Sequence, residues 1–255
     1  MSDPRPTIVL CQGLFGAYFD VASRGIGLLG LPFARYWNGV DRPLREAGFR
    51  VLTPGVSGTR GIADRARQLK AAILREVPDG PLMLVGHSMG GLDARHLVTH
   101  LGMADRTAAV LTVATPHRGS AFADWCLTTL DRQAGLYATL SRLGWDVKAA
   151  TDLTTDAADR FNRSTPDAPG VRYFSVTAST PVAEMPAFLQ PSGKTIARHD
   201  GPNDGLVSAR SAAWGDVLDA WPIDHFAQIH KRYPAPPDPV GPRWVRVVER
   251  VTEQL

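Results

Sequence analysis

The amino-acid sequence predicts an α/β fold, in which helices cover both faces of a mostly parallel β-sheet. Short apolar runs alternate along the chain with segments of helical periodicity, the order that produces right-handed crossovers between parallel strands. The runs are apolar throughout, which is typical of strands buried on both faces. A chain of 255 residues is long enough for one large domain of this class.

Five apolar runs predict the strands of the sheet. Each is short and bounded by polar or turn-forming residues. They cover residues 7–11, 49–52, 81–86, 108–113 and 171–177. Because ligands of parallel sheets bind beyond the carboxyl ends of the strands, we expect the functional residues in the loops that follow these runs.

Helical periodicity fills several of the intervals between the runs. Between the second and third runs, apolar residues recur at spacings of three or four: Ile62, Ala66, Leu69, Ile73 and Val77. This spacing predicts an amphipathic helix that Pro78 ends. Residues 88–102 predict a second helix. The proline-rich linker 233–242 leads to a closing helix with one apolar face: Trp244, Val247, Val248 and Val251.

The segment between Pro116 and Gly170 contains no convincing strand, and its apolar residues are spaced as in short helices. It is either a helical insertion that only packs on the domain or a cap above the ligand site. We favour a helical cap or lid around residues 118–165, because the segment follows a strand end, where lids that exclude water lie. Residues 1–255 are otherwise expected to form a single domain.

Composition and charge argue against several classes of protein. With 44% apolar and 21% charged residues, the chain resembles a soluble globular domain. A net charge of +3 without a basic block argues against nucleic acid or an anionic membrane as partner. No apolar run reaches membrane-span length, and the amino terminus lacks a signal-peptide pattern. We therefore expect a cytoplasmic protein whose Cys11 and Cys126 are free thiols and whose contact with lipid interfaces is at most transient.

The stretch GHSMG, residues 86–90, matches the G-x-S-x-G pattern of a nucleophile elbow. The serine of such an elbow adopts strained backbone angles, and the flanking glycines prevent collisions. An apolar run precedes the motif and a predicted helix follows it, with its N-terminus directed at Ser88. The alternative is a structural glycine loop, but this context favours Ser88 as a nucleophile.

A serine nucleophile needs a base, and the base needs an orienting acid. In folds with this elbow, the catalytic residues follow one another along the chain in the order serine, acid, histidine. The base must therefore lie well after Ser88, and His199, His225 and His230 are the candidates. We predict Asp204, in the turn sequence GPNDGLVS, as the acid and His225 as the base. Weaker alternatives are His230 as base and Asp200, Glu184 or Asp216 as acid.

The oxyanion hole is predicted from two backbone N–H groups. One belongs to Met89, directly after the nucleophile, and the other to Leu14, in the glycine-containing loop after the first strand. One such donor is typically worth about 3 kcal/mol of transition-state stabilisation.

The GIGLLG motif at 25–30 fits a dinucleotide fingerprint, but it does not follow a strand. Neither cysteine has a histidine or a second cysteine at metal-ligand spacing, so we expect neither a metal nor a cofactor.

Together these motifs resemble the triacylglycerol lipase group of α/β-hydrolases, in both its bacterial and fungal-type members. The likeness covers most of the chain. Residues 8–16 look like the oxyanion loop of that group, 84–95 like its elbow, 112–125 like the stretch leading into its cap, and 201–208 and 221–229 like its acid and histidine segments. The resemblance implies the α/β-hydrolase fold, and it carries over site roles position by position to Leu14, Ser88, Met89, Asp204 and His225.

The chain departs from that group at two places. Gln12 stands where the family loop usually has histidine before glycine, which leaves the oxyanion geometry and the substrate choice open. Many secreted bacterial members bind calcium through an aspartate two residues after the histidine. Ala227 occupies that position here and Lys231 follows, so we predict no calcium site.

The sequence therefore predicts a serine hydrolase that cleaves carboxylic esters with a hydrophobic acyl chain, through an acyl-enzyme. The expected partner is a small-molecule or lipid ester. An acyltransferase, a thioesterase or a polyester hydrolase would use the same residues. A non-catalytic binding protein, an amidase and a haloperoxidase are less favoured readings of the same fold.

Overall fold

The structure, a computed structural model, describes residues 5–14, 36–131, 148–230 and 239–255. Four features of the sequence lie outside these ranges: the glycine motif at 25–30, the middle of the expected cap at 132–147, Lys231, and residues 233–238 of the proline-rich linker.

Six strands form one sheet in the described part of the chain. They are β1 (Thr7–Cys11), β2 (Val51–Leu52), β3 (Leu82–His87), β4 (Thr107–Val113), β5 (Arg172–Ala178) and β6 (Asp216–Trp221). Their order is β2-β1-β3-β4-β5-β6, and every neighbouring pair is parallel. The predicted α/β class with a mostly parallel sheet is thus confirmed.

The sequence located five of these strands and missed β6. Four of the five lie within one residue of their expected bounds, and β2 is shorter than expected. Strand β6 lies at the edge of the sheet, and only Leu218 and Trp221 among its residues are buried. It therefore has no continuous apolar run for a sequence pattern to detect.

The described helices are α1 (Asp41–Glu46), α2 (Ile62–Glu76), α3 (Met89–His100), α4 (Ala121–Trp125), α5 (Lys148–Thr151), α6 (Thr155–Ser164), α7 (Gln190–Asp200), α8 (Ala209–Ala212) and α9 (Gly241–Thr252). Helix α4 continues into a π-helical segment, Cys126–Asp131. The helices expected over 62–77 and 88–102, and the closing helix, correspond to α2, α3 and α9.

Alternate residues of each strand pack on opposite faces of the sheet. In β1, Ile8 and Leu10 join a core cluster that includes Leu44 of α1 and Trp244 of α9. The intervening strand residue Val9 joins a second cluster, which contains apolar residues of α2 and α3. This two-sided burial explains why the central strands are apolar throughout.

The carboxyl ends of the parallel strands bring several loops to one edge of the sheet. Leu14, Ser88 and His225 follow β1, β3 and β6 directly, and Asp204 lies between α7 and α8 in the connection from β5 to β6. These side chains are remote in sequence, and the common direction of the strands makes them neighbours.

Candidate active site

Ser88 occupies the sharp turn between β3 and α3. Its φ of 55° and ψ of −132° lie in a region that L-residues rarely adopt. Three hydrogen bonds hold its backbone there. Its N–H donates to the carbonyl of Val113 (3.0 Å), and its carbonyl accepts from Thr115 Oγ1 (2.7 Å) and from the N–H of Gly91 (3.2 Å). A conformation of this kind costs about 1–3 kcal/mol and persists only where the surroundings fix it.

The glycines on either side of Ser88 are required by close backbone approach. A Cβ on Gly86 would lie 2.5 Å from the Cα of Gly91, and one on Gly90 would collide with the carbonyl oxygen of Cys11. The turn therefore packs directly on the end of β1, and the G-x-S-x-G spacing has a steric cause.

His225 and Asp204 form a buried hydrogen-bonded pair. The Nδ1 atom of His225 lies 2.7 Å from Oδ2 of Asp204, and the backbone N–H of His225 donates to the Asp204 carbonyl (2.9 Å). The other carboxylate oxygen accepts from the N–H groups of Leu206 (3.0 Å) and Val207 (2.8 Å). These bonds hold the acid in one orientation behind the imidazole.

The alternative acids and the alternative base do not form the His225–Asp204 pair, and their contacts are with other residues. Asp200 contacts Ser208 Oγ (3.3 Å) and forms an ion pair with Arg210 (3.1 Å). Asp216 is exposed at the start of β6, and Glu184 lies in a 3₁₀ turn. The ring of His230 packs against Gly39, and the residue has the left-handed φ of 56°.

A cavity of about 250 Å³ contains Ser88 and His225 in its wall. Its remaining lining is mostly apolar and includes residues of the segment expected to form the cap. The apolar wall residues are Leu14, Pro116, Phe122, Ala123, Cys126, Ala150, Leu153, Leu206, Val207, Phe226 and Ile229. Such a cavity desolvates a hydrophobic group beside the two polar side chains.

The two expected oxyanion donors belong to residues that adjoin Ser88 in different ways. Met89 is the first residue of α3, where a backbone N–H has no partner within its own helix. Leu14 lines the cavity, next to Gly13. A Cβ on Gly13 would lie 2.8 Å from the Cβ of Ser88, so the loop after β1 passes directly against the serine.

Gln12, the departure from the family loop, is buried and turned away from the serine turn. Its Nε2 donates to the carbonyl of Val56 (3.0 Å), in the loop after β2. Its own carbonyl accepts from Arg65 (2.6 Å). Both contacts fix the loop that carries Leu14.

A buried polar chain behind the site was not expected from the sequence. Tyr36 Oη lies 2.9 Å from the N–H of Gly13 and 2.7 Å from Nδ1 of His87. Nε2 of His87 lies 3.0 Å from Gln228 Oε1, and Gln228 Nε2 donates to Asp204 Oδ2 (2.9 Å). The one sequence signal is that Gln228 follows His225 by one helical turn.

His117, which precedes the predicted acid in the chain, is a packing residue. Its ring stacks on Trp214, with centroids 5.1 Å apart, and contacts Thr112 Oγ1 (3.0 Å) and Arg95 (3.3 Å). Burial, reinforced by Arg95 and Arg118, lowers the pKa of His117 well below its ordinary value.

In the described ranges, no group of three or more histidine, cysteine, aspartate or glutamate side chains could hold a metal ion. None of the described helices is long and apolar enough to cross a membrane. Cys11 and Cys126 are both free thiols. Burial raises the pKa of Cys11, which keeps that thiol protonated.

Comparison with known proteins shows that the chain is similar to several lipases and esterases. A family model described as a PGAP1-like α/β domain matches residues 67–154. Triacylglycerol lipase 2 of Saccharomyces cerevisiae is 35% identical over 209 residues, which is 76% of this chain but only 62% of the yeast protein. A triacylglycerol lipase of Burkholderia plantarii is 26% identical over 77% of this chain and 74% of its own length.

Solved structures agree with the fold. The metagenomic carboxyl esterase MGS0156 superposes with a TM-score of 0.79 and 25% identity, over 100% of this chain and 78% of the esterase. The mature lipase BlEst2 of Bacillus licheniformis has a TM-score of 0.71 at 24% identity, over 98% and 93% of the two chains. With its parallel sheet and its strained serine turn, the chain has the α/β-hydrolase fold, and its sequence is similar to those of triacylglycerol lipases.

Proposed function

We propose that this protein hydrolyses carboxylic esters that carry a hydrophobic acyl chain, through a covalent acyl-enzyme on Ser88. His225 is the general base and acid, Asp204 orients it, and the N–H groups of Leu14 and Met89 bind the oxyanion. The observation that carries the proposal is the buried His225–Asp204 hydrogen bond of 2.7 Å, with His225 and Ser88 in the wall of one apolar cavity.

The chemistry follows from these positions. Ser88 Oγ attacks the ester carbonyl while its proton passes to Nε2 of His225. The Asp204 carboxylate, bonded to Nδ1–H, stabilises the imidazolium that forms. The imidazolium then gives the proton to the departing alkoxide. Water repeats the sequence on the acyl group, releasing the acid and freeing Ser88.

The apolar lining gives the proposed substrate class. An acyl chain enclosed by aliphatic and aromatic side chains leaves water, and this burial favours binding by about 0.8 kcal/mol for each CH₂ group. The relatives whose names are triacylglycerol lipase and carboxyl esterase support a lipid or small-molecule ester.

The test is hydrolysis of chromogenic esters with acyl chains of increasing length. Native protein should turn over the series, and Ser88→Ala should lose several orders of magnitude in kcat. Asp204→Asn should lose about 10⁴-fold. The matched control Asp200→Asn should keep native activity. Equal inactivity of native protein and Ser88→Ala would reject the proposal.

The same assay tests which molecule accepts the acyl group from the acyl-enzyme. If water is the acceptor, added alcohols and thiols should change the product distribution little at low concentration. Dominant transfer to an added alcohol or thiol would replace hydrolysis by acyl transfer.

A further inference from the structure

The polar chain from Gly13 to Asp204 allows only one arrangement of its protons. The ionised Asp204 carboxylate only accepts, so Gln228 must present its amide N–H₂ to it and its Oε1 to His87. His87 must then carry its proton on Nε2, which leaves Nδ1 as acceptor for the Tyr36 hydroxyl. The Tyr36 oxygen in turn accepts from the N–H of Gly13.

The other proton arrangements are excluded by charge and burial. A proton on Nδ1 of His87 would turn the amide of Gln228 over and place its oxygen against the Asp204 carboxylate. A doubly protonated His87 would be a buried cation beside His225, whose ring centroid lies 4.7 Å away. Burial and His225 together lower the pKa of His87 well below its ordinary value, and burial raises that of Tyr36.

We propose that Gln228, oriented by His87 and Tyr36, is a positioning residue that sets the proton affinity of the Asp204–His225 pair and couples it to the oxyanion loop. Its amide and the imidazole of His225 donate to the same oxygen, Asp204 Oδ2. The amide takes up part of the charge that would otherwise hold a proton on His225. The inference rests on the proposed function for its kinetic consequences, but the proton arrangement can be measured without activity.

Few other groups are placed to change the proton affinity of the Asp204–His225 pair. In the described chain, the titratable groups that contact the His225 ring are Asp204 and His87. Tyr36 contacts His87, Asp224 precedes His225 in the chain, and Cys126 lines the same cavity. Asp224 accepts from the backbone N–H groups of Phe226 and Ala227 (both 3.1 Å). The hydrogen bond from Trp244 Nε1 to the Gln228 carbonyl (2.8 Å) fixes the backbone of the positioning residue itself.

The first measurement is nitrogen-15 NMR of the histidine rings in the native protein. His87 should be in the Nε2–H form, with an unprotonated Nδ1, at every pH where the protein stays folded. A proton on Nδ1, or protonation of both nitrogens near the ordinary histidine value, would overturn the proposal. This outcome is independent of whether the protein hydrolyses esters.

The second measurement is the pH profile of kcat/KM for variants of Gln228 and Tyr36, which lie towards the two ends of the hydrogen-bonded chain from Asp204 to Gly13. Gln228→Met removes the donor to Asp204, so the acidic limb should move to higher pH by about one unit. Gln228→Leu also removes the donor without adding charge, so it should move the limb in the same direction and by a similar amount. Tyr36→Phe should shift it in the same direction by less.

The matched control is Gln190→Met, at a half-buried glutamine that donates to the carbonyl of Met185. It should leave the profile unchanged. If Gln228→Met and Gln228→Leu both kept the native profile, the amide donor would not set the proton affinity of the pair and the proposal would fail. A uniform loss of kcat in Gln228→Met, with the limb in its native place, would also reject it. Native protein that lacks esterase activity but has His87 as Nε2–H would reject the proposed function instead.

Discussion

Arg65 on α2 forms a buried salt bridge with Asp93 on α3, with Nε 2.8 Å from Oδ2. The same guanidinium donates to the carbonyls of Gln12 (2.6 Å) and Ser57 (2.6 Å). One side chain therefore ties the helix that follows Ser88 to the loop that carries Leu14. Burial raises the pKa of Asp93 to about 6, while the guanidinium acts against that rise.

Removing one partner of this pair should be costly, because the other is left as an unpaired buried charge. We expect Arg65→Met to lower the free energy of unfolding by about 3–5 kcal/mol, measured by urea denaturation. The double variant Arg65→Met/Asp93→Leu should recover part of the loss. The control is Arg67→Met on the same helix, whose exposed ion pair with Asp64 is worth less than about 1 kcal/mol. Equal costs at Arg65 and Arg67 would contradict the prediction.

Gly13 lies where the loop after β1 passes Ser88, the proposed nucleophile. A Cβ added there would lie 2.6 Å from Tyr36 Oη and 2.8 Å from Ser88 Cβ. Gly13→Ala should displace the loop and lower kcat by about 10²–10³-fold, the loss expected for one oxyanion donor, with a small change in KM. In Gly170→Ala, φ is 80° and nothing lies within 4 Å of the new Cβ. That variant should lose about 1–3 kcal/mol of stability and keep its kcat.

The buried neutral histidines should make the protein less stable in acid. The pKa of His117 is lowered in the folded state, so unfolding takes up a proton below the ordinary value of 6.5. The free energy of unfolding should therefore fall with decreasing pH, by about 1.4 kcal/mol per pH unit for this group. Between pH 3.8 and about pH 6, Asp93 raises the free energy of unfolding as the pH falls, because its pKa is higher in the folded state. The contribution of His117 is therefore measured as the difference between native protein and His117→Gln.

Denaturation series across pH measure that difference. Below pH 6.5 the slope should be shallower for His117→Gln than for native protein. The matched control His199→Gln, at an exposed position of α7, should keep the native slope. Parallel curves for native protein and His117→Gln would show that His117 does not bind fewer protons in the folded state.

The apolar cavity should set the preferred acyl length. Leu153 lies in its wall, and Leu153→Trp adds volume there, so the optimum of the ester series should move to shorter chains. Burial of each CH₂ group contributes about 0.8 kcal/mol, so even a one-carbon shift is measurable in kcat/KM. Leu74→Trp, at a residue 45% exposed on α2, is the control and should leave the optimum in place. An unmoved optimum in Leu153→Trp would show that the acyl chain binds elsewhere.

Sequence patterns located those parts of the fold that depend on local rules. Continuous apolar runs identified the buried strands, and spacing of three or four identified α2 and α9. The G-x-S-x-G motif identified the turn at Ser88, because a steric collision of neighbouring backbones demands its glycines. Strand β6 escaped detection because an edge strand with only Leu218 and Trp221 buried has no such run.

By itself the sequence determined the α/β class, the serine turn and a short set of candidate acids and bases, since each depends on sterics or periodicity within a few residues. The roles of these candidates and the cytoplasmic location stay predictions. Only the tertiary structure decided which acid meets which histidine, and that Tyr36, His87 and Gln228 form one chain with Asp204. Tyr36 and His87 are 51 residues apart, and His87 and Gln228 are 141 apart. The parallel crossovers bring such residues together at one edge of the sheet, and no local pattern encodes that distance.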